Sequence, residues 1–296
     1  MTGTREGESA MRDGNLPRNP IQDRAPLLSV ADLCVDYATP TGLVRAVDHV
    51  SFTIGGGEVL GLAGESGSGK STVAFAVARL HRPPAFITGG RVDLDGTDVL
   101  ALTGESLRAW RWRDLSVVLQ SAMNALNPVL RVEAQFLDLF RAHGVRDKAE
   151  GRERAAELLR LVGIAPDRLR DHPHRFSGGM RQRLVIAMAL ALKPKLVVMD
   201  EPTTALDVVV QREILDQVAD LRRRLGFSVL FISHDLGVMS RFCDRVGVML
   251  KGRIVEEGPV GTVLTNPAHA YTRRLLDSIP RLHPLPPVPV LEQEVR

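Results

Sequence analysis

Gly64-Glu65-Ser66-Gly67-Ser68-Gly69-Lys70-Ser71 fills every fixed position of the pattern G-x-x-x-x-G-K-[ST]. Its flanks give the pattern a structural context. Glu58-Val59-Leu60-Gly61-Leu62-Ala63 reads as a buried strand, and Thr72-Val73-Ala74-Phe75-Ala76-Val77-Ala78-Arg79-Leu80 as the helix that follows. Strand, glycine-rich loop and helix in that order set a helix N-terminus, the positive end of its dipole, against an anion. Glycines let the loop curl so that successive N–H groups face phosphate oxygens. Lys70 then offers a point charge to the β- and γ-phosphates, and the Ser71 hydroxyl is placed to ligate Mg²⁺. Gly64 to Ser71, with Thr72 opening the helix, are the predicted nucleotide contacts. The competing reading is a chance Gly/Ser-rich turn, against which the ordered flanks weigh.

Four further segments gain meaning from that loop. Leu196-Val197-Val198-Met199 is a short apolar run, as in a central parallel strand, and it ends in two carboxylates. Asp200 stands where a second Mg²⁺-directed carboxylate belongs, and Glu201 can address an attacking water as general base. A strand that merely ends in solvated acids is also common. Gln120 closes the apolar strand Ser116–Leu119, and His234 follows Ser228–Ile232. Both stand at the carboxyl ends of strands, the side on which doubly wound sheets bind ligands, although a lone Gln or His is more often structural or solvated. Ser177 reads as the N-cap of a helix over Gly178–Leu192, stopped by Pro194. Gly178 and Gly179 leave backbone N–H groups free for an anion, beyond their role in a plain loop-to-helix cap.

Taken in order, these motifs resemble those of the ATP-binding cassette (ABC) ATPases, over about residues 27–280. Phe176-Ser177-Gly178-Gly179-Met180-Arg181-Gln182-Arg183 is similar to the family signature, and Pro202-Thr203-Thr204-Ala205-Leu206-Asp207 to its D-loop. Gln120 and His234 match the Q-loop and H-loop. The resemblance implies an α/β fold: a P-loop NTPase (RecA-like) core with an antiparallel β subdomain and an inserted α-helical subdomain. It implies catalytic roles for Glu201, His234 and Gln120, and Mg²⁺ held by Ser71, Gln120 and Asp200. ATP is the implied nucleotide, with Ser177, Gly178 and Gly179 addressing the ATP of a partner subunit. An aromatic near Tyr37 stacks on adenine in the family, although an aromatic at a strand end is ordinarily packing, and Ala38–Leu43 reads as an insertion that blurs the match.

Three details resemble the oligopeptide/dipeptide/nickel importer branch: the Phe-Ser-Gly-Gly-Met-Arg-Gln-Arg variant, Met123–Pro128 after Gln120, and Asn266–Leu276. Ser121-Ala122 and Ala270 depart from that branch, where Asp-Pro and Pro are usual. The branch implies a second ATP-binding subunit, homologous rather than identical by preference, and two transmembrane permease subunits that dock near Gln120–Pro128, with Leu126 and its neighbours facing them. It also implies an extracytoplasmic solute-binding protein, and a place at the cytoplasmic face of the membrane. ATP-driven closure of two cassettes would power uptake of peptides or a related small solute. The alternatives are a soluble ABC ATPase acting on nucleic acid or ribosomes, or an exporter cassette.

Composition narrows the classes. The 296 residues are 44% hydrophobic, with a net charge of +3 and a pI of about 9.1. The arginines are dispersed, so a nucleic-acid partner is not suggested. Cys34 and Cys243 form no C-x-x-C, which argues for a reducing cytosol and against a zinc or iron–sulfur site. The longest apolar run, Leu184–Leu192, falls short of the ~20 residues of a membrane helix. Residues 1–26 read as a disordered leader, 27–262 as the ATPase domain and 263–296 as an extension ending in a Pro-rich tail. Within the domain, about 101–176 reads as the Arg-rich helical subdomain, with a helix over Lys148–Val162 ended by Gly163. A helix over Val208–Leu225, with Ile214, Val218, Leu221 and Leu225 on one stripe, and a hairpin turning at Lys251-Gly252 complete it.

Overall fold

Three strands without one exposed residue fix the centre of the molecule: β3 (Val59–Ala63), β7 (Leu196–Asp200) and β8 (Ser228–Ile232). Strands apolar on both faces require a covered parallel sheet. In the computed structural model, which describes residues 25–120, 125–204 and 206–278, they lie side by side in it. The sheet order is β10 (Arg253–Pro259), β9 (Arg245–Leu250), β3, β8, β7 and β6 (Leu115–Val118). Only β10 runs antiparallel, joined to β9 by a turn with Lys251 at φ 48° and Gly252 at φ 82°. Both values are those of the tight hairpin read at Lys251-Gly252.

A second sheet is antiparallel: β2 (Gly42–Ile54), β1 (Leu28–Thr39), β4 (Ala85–Leu94) and the short β5 (Thr97–Asp98). Residues 38–43 are the turn and flanks of the β1–β2 hairpin. The apolar spacing of β1 slips between Val30 and Leu33 because the ladder shifts register there, with Asp32 at φ 53°.

Side chains of the parallel strands alternate between two cores. Leu196, Val198, Leu230 and Ile232 join the antiparallel sheet and helix α1 (Lys70–Val77) in one. Val197, Met199, Val229 and Phe231 join the helices of the opposite layer. That layer holds α3 (Val132–Ala142), α4 (Lys148–Leu161), α5 (Gly178–Ala189), α6 (Val208–Leu225) and α7 (Leu236–Phe242). A short α2 (Gly104–Trp110) precedes β6, and α8 (Val260–Thr265) and α9 (Ala270–Asp277) follow β10.

Caps explain the helix limits. Asp207 accepts the Val210 N–H (2.9 Å) and Gly226 at φ 78° ends α6, so its bounds coincide with the sequence reading. Asp147 caps α4, and Gly163 at φ 72° follows it. Helix α5 is shorter than expected. It stops at Ala189 rather than Leu192, because the chain must turn through Lys193 at φ 54°, before Pro194, to enter β7. Leu225 is 42% exposed, so the buried stripe of α6 ends at Leu221 and takes in Leu215 instead.

One expectation is overturned. Leu126, read as facing a membrane partner, is 4% exposed and sits in the helical-layer core. Its neighbours Val129 (76%) and Leu130 are the exposed apolar residues of that segment. β6, inside the span read as helical subdomain, pairs with β7. The predicted leader up to residue 24, Ser121-Ala122, Met123-Asn124, Ala205 and the Pro-rich tail from residue 279 lie outside the described residues.

Candidate active site

The loop after β3 needs glycine where its backbone is crowded. A Cβ on Gly64 (φ 144°) would stand 2.4 Å from the Met249 carbonyl oxygen, and one on Gly69 (φ 104°) 2.5 Å from that of Ala46. The loop is thus wedged between β9 and β2, and a side chain would fill the space it curls through. Lys70, the first residue of α1, is buried, and its ammonium donates to Gly64 O (2.8 Å), Glu65 O (2.7 Å) and Ser68 Oγ (3.2 Å). Burial pulls its pKa below the usual lysine value, while the carboxylates of Glu201, Asp200 and Glu65 partly oppose that. The Glu65 N–H donates to Tyr271 Oη of α9 at 3.1 Å.

Two strand ends bring the carboxylates to this loop. Asp200, buried at the end of β7, accepts a hydrogen bond from Ser71 Oγ at 3.0 Å. Burial raises its pKa, with the Ser71 bond and Lys70 acting against the rise. Glu201 leaves the strand at φ 45°, its N–H bonded to Ile232 O at 2.9 Å. That left-handed backbone turns its carboxylate into the cleft and costs on the order of 1–3 kcal/mol, a strain typical of functional positions. Glu201 Oε2 accepts from Gln120 Nε2 (2.8 Å) and Thr204 Oγ1 (3.1 Å), and Oε1 lies 3.0 Å from His234 Nδ1.

Lys70, Ser71, Thr72, Gln120, Glu201 and His234 therefore line one cleft of about 590 Å³. Its donor set suits a nucleotide with a hard cation. The ammonium is satisfied only by loop oxygens it can exchange for phosphate, and Ser71 with Asp200 forms a pair of oxygen ligands. No thiol shares the cleft wall. The grouping of Cys34, Asp48 and His49 fits a cation poorly, because Arg253 (2.6 Å) and Arg45 (3.5 Å) already hold Asp48.

Two predicted contacts stand elsewhere. Tyr37 is half-buried on β1 at the cleft margin, its hydroxyl 3.3 Å from Thr72 Oγ1. Ser177, exposed, with the half-buried Gly178 and Gly179 forms a helix start away from the cleft wall, and Ser177 Oγ accepts the Met180 N–H at 3.3 Å. Phe176 is buried beneath it, under the Arg168 guanidinium at 4.2 Å. A separate groove of about 470 Å³ between α4, α6 and the end of α5 is lined mainly by Leu158, Leu161, Leu190 and Leu225. It holds none of the site residues, and its charged lining is Arg154, Glu157 and Lys193.

Sequence reasoning missed three participants. Ala46 lines the cleft with backbone and a methyl group, for which no sequence pattern exists. The Thr204 hydroxyl had a signal, since a threonine three residues after Glu201 in a Pro-Thr-Thr turn can reach back to it. Tyr271 reaches Glu65 across 206 positions, which local patterns cannot show.

The chain is similar to known proteins. Residues 47–204 match the family model described as ABC transporter, and residues 255–295 match the one described as oligopeptide/dipeptide transporter, C-terminal region. The chain is 49% identical over 262 residues to the peptidoglycan transport ATP-binding protein YejF of Agrobacterium fabrum. That alignment covers 88% of this chain but only 48% of the relative, so the chain spans about half that protein's length. It is 44% identical over 259 residues to the oligopeptide transport ATP-binding protein OppD of Bacillus subtilis, covering 86% and 72%. Among solved structures, it resembles the dimeric post-hydrolysis state of an ATP-binding cassette bound to ADP and Pi. The TM-score is 0.69 at 28% identity, covering 79% of this chain and 98% of the other.

Proposed function

The chain belongs to the ABC transporter family of ATP-binding cassettes, and from that premise we propose that it is the ATP-hydrolysing subunit of a peptide importer. One observation carries the hydrolytic part: Glu201 is held in the cleft by Gln120, Thr204 and His234, with Lys70 and Ser71 alongside. Lys70 exchanges the carbonyls of Gly64 and Glu65 for the terminal phosphates of ATP. Ser71, Asp200 and Gln120 would hold Mg²⁺, which when bound neutralises phosphate charge. Glu201 accepts the proton of the attacking water, while Gln120 and His234 orient it.

The Ser177-Gly178-Gly179 start of α5, exposed at Ser177 and half-buried at the glycines, supports a two-chain site. It offers N–H groups to an anion that this chain's own loop does not place there. We assign these residues to the ATP of a second cassette, preferably a homologous chain, and Tyr37 to the adenine side of the cleft. Transport also needs partners. Among the described residues no helix is long and apolar enough to cross a membrane, so two permease subunits provide the path and hold this chain at the cytoplasmic face. An extracytoplasmic binding protein delivers the solute. Contact with the permeases falls to Val129 and Leu130 rather than Leu126. The match to an oligopeptide/dipeptide transporter region favours peptide import over export or work on nucleic acid.

The test is ATP-dependent peptide uptake in a reconstituted complex. Lys70→Ala should abolish ATP binding and uptake without unfolding the chain. Uptake at the wild-type rate by that variant would refute the assignment of the loop, and co-purification with ribosomes or DNA instead of permeases would refute the transporter reading.

A further inference from the structure

The region beyond β10 does more than cover the core. Glu256 on β10 accepts the N–H groups of Ala268 (2.7 Å) and His269 (3.0 Å), which fixes the start of α9. His269 Nδ1 then accepts the Tyr271 N–H at 3.1 Å, so the imidazole caps the helix. Ala270 occupies the first helical position, where proline is favoured for its pre-set φ and because its missing N–H is not needed there; alanine gives up that pre-set angle and still forms the helix. This framing drives Tyr271 inward. Its ring is 3% exposed within the helical-layer core, and its hydroxyl accepts the Glu65 N–H at 3.1 Å.

The Gly64–Glu65 peptide group is thereby gripped on both sides, with its N–H on Tyr271 Oη and its carbonyl, Gly64 O, on Lys70 Nζ at 2.8 Å. Only the second grip must break when Lys70 turns to phosphate. We propose that Tyr271 is a positioning residue for the phosphate-binding loop: its buried hydroxyl holds the Gly64–Glu65 peptide still while Lys70 moves, and so sets the affinity for ATP. With the hydroxyl present, the Gly64–Glu65 peptide keeps its orientation and little ordering remains to be done on binding. Without it, the Glu65 N–H seeks another partner and the loop entrance rotates. The C-terminal region thus becomes part of the nucleotide site. This inference rests on the reading of Gly64–Ser71 as an ATP site.

The experiment measures Mg²⁺-ATP affinity by calorimetry on the full chain, and KM and kcat in the assembled transporter. Tyr271→Phe keeps the ring in the core and removes only the hydroxyl. It should raise the Kd and KM for ATP about 3- to 10-fold, the range one net hydrogen bond supplies, with kcat at saturating ATP unchanged. Thr272→Val is the control, since Thr272 is 0% exposed on the same helix and has no hydrogen bond to the loop among the described residues. It should lower the melting temperature at most, leaving ATP affinity intact. Unchanged affinity in Tyr271→Phe, or losses in both variants that scale with their stability, would overturn the positioning role while the ATP site stands. A wild-type chain that does not bind ATP would overturn the site and this role together.

Discussion

Replacing Glu201 with glutamine separates chemistry from architecture more cleanly than any other change in this cleft. The carboxylate makes contacts on both oxygens: Oε2 receives Gln120 Nε2 and Thr204 Oγ1, and Oε1 faces His234 Nδ1. A glutamine can keep all of them. Its amide oxygen takes the Oε2 position, where both neighbours donate, and its NH₂ faces His234, whose Nδ1 then accepts with the ring proton on Nε2. No donor meets a donor, so the backbone at φ 45° and the water-orienting groups stay in place. The variant loses only the ability to take a proton. A positioned base contributes roughly 10²- to 10⁴-fold, which is about 3–5 kcal/mol of barrier. The assay is steady-state phosphate release by the assembled complex, alongside ATP binding and thermal melting of the isolated chain. We expect turnover to fall by that factor with binding and melting temperature retained, leaving an ATP-loaded closed pair of cassettes. Hydrolysis at the wild-type rate would remove Glu201 from the mechanism. Loss of ATP binding or folding would show that the glutamine is not accommodated as argued.

Further outcomes follow from burial and charge. Leu126→Ala should cost about 2–5 kcal/mol of stability, as core leucines do, read as a lower denaturation midpoint. Val129→Asp should leave that midpoint unchanged and weaken co-purification with permeases, and the opposite pattern would return the docking surface to Leu126. ATP binding needs Lys70 charged, and burial depresses its pKa in the free chain. Affinity should be full below that depressed value and fall as pH rises through it, so the alkaline limb breaks below the ordinary lysine value of 10.5. In Glu201→Gln the break should move lower still, because the Glu201 charge supports the ammonium; a limb at or above 10.5 in the wild type would refute the argument.

How much of this was legible in the sequence depended on how local the cause was. The glycine loop, the acid-tipped β7 and the capped α6 each carry their determinants within a few residues, and each forms as read. The parallel strands were visible because burial on both faces leaves them almost wholly apolar, with Ser116 the polar residue inside β6 and Asp200, Ser228 and Arg245 at strand ends. Leu126 was misread because a leucine beside Asn127 and Pro128 looks like loop surface, whereas Val132, Phe136 and Phe140 of α3 help form the core that encloses it. The end of α5 was misplaced for a similar reason: Leu190 to Leu192 satisfy a helical pattern, but the entry to β7 demands a turn there. Within the cleft, side chains at strand ends could be anticipated from strand order alone. Gln120, Glu201 and His234 touch only through tertiary geometry, and the grip of Tyr271 on Glu65 has no counterpart in any local pattern.

β3, which delivers the phosphate loop, is flanked in the sheet by β8 and β9, both encoded far downstream. The hairpin beyond β9 closes the frame: the Gly252 N–H donates to Ser68 O at 3.0 Å, and Gly252 O accepts from Asp48 N at 2.9 Å. The order of synthesis is therefore the reverse of the order of completion. A growing chain displays its lysine and glycines early, but the walls that curl them into a cradle leave the ribosome only with β8, β9 and Gly252. Until then nucleotide has nothing shaped to bind, and it cannot act as a folding ligand for the nascent protein. ATP can stabilise only a chain whose synthesis has passed Gly252.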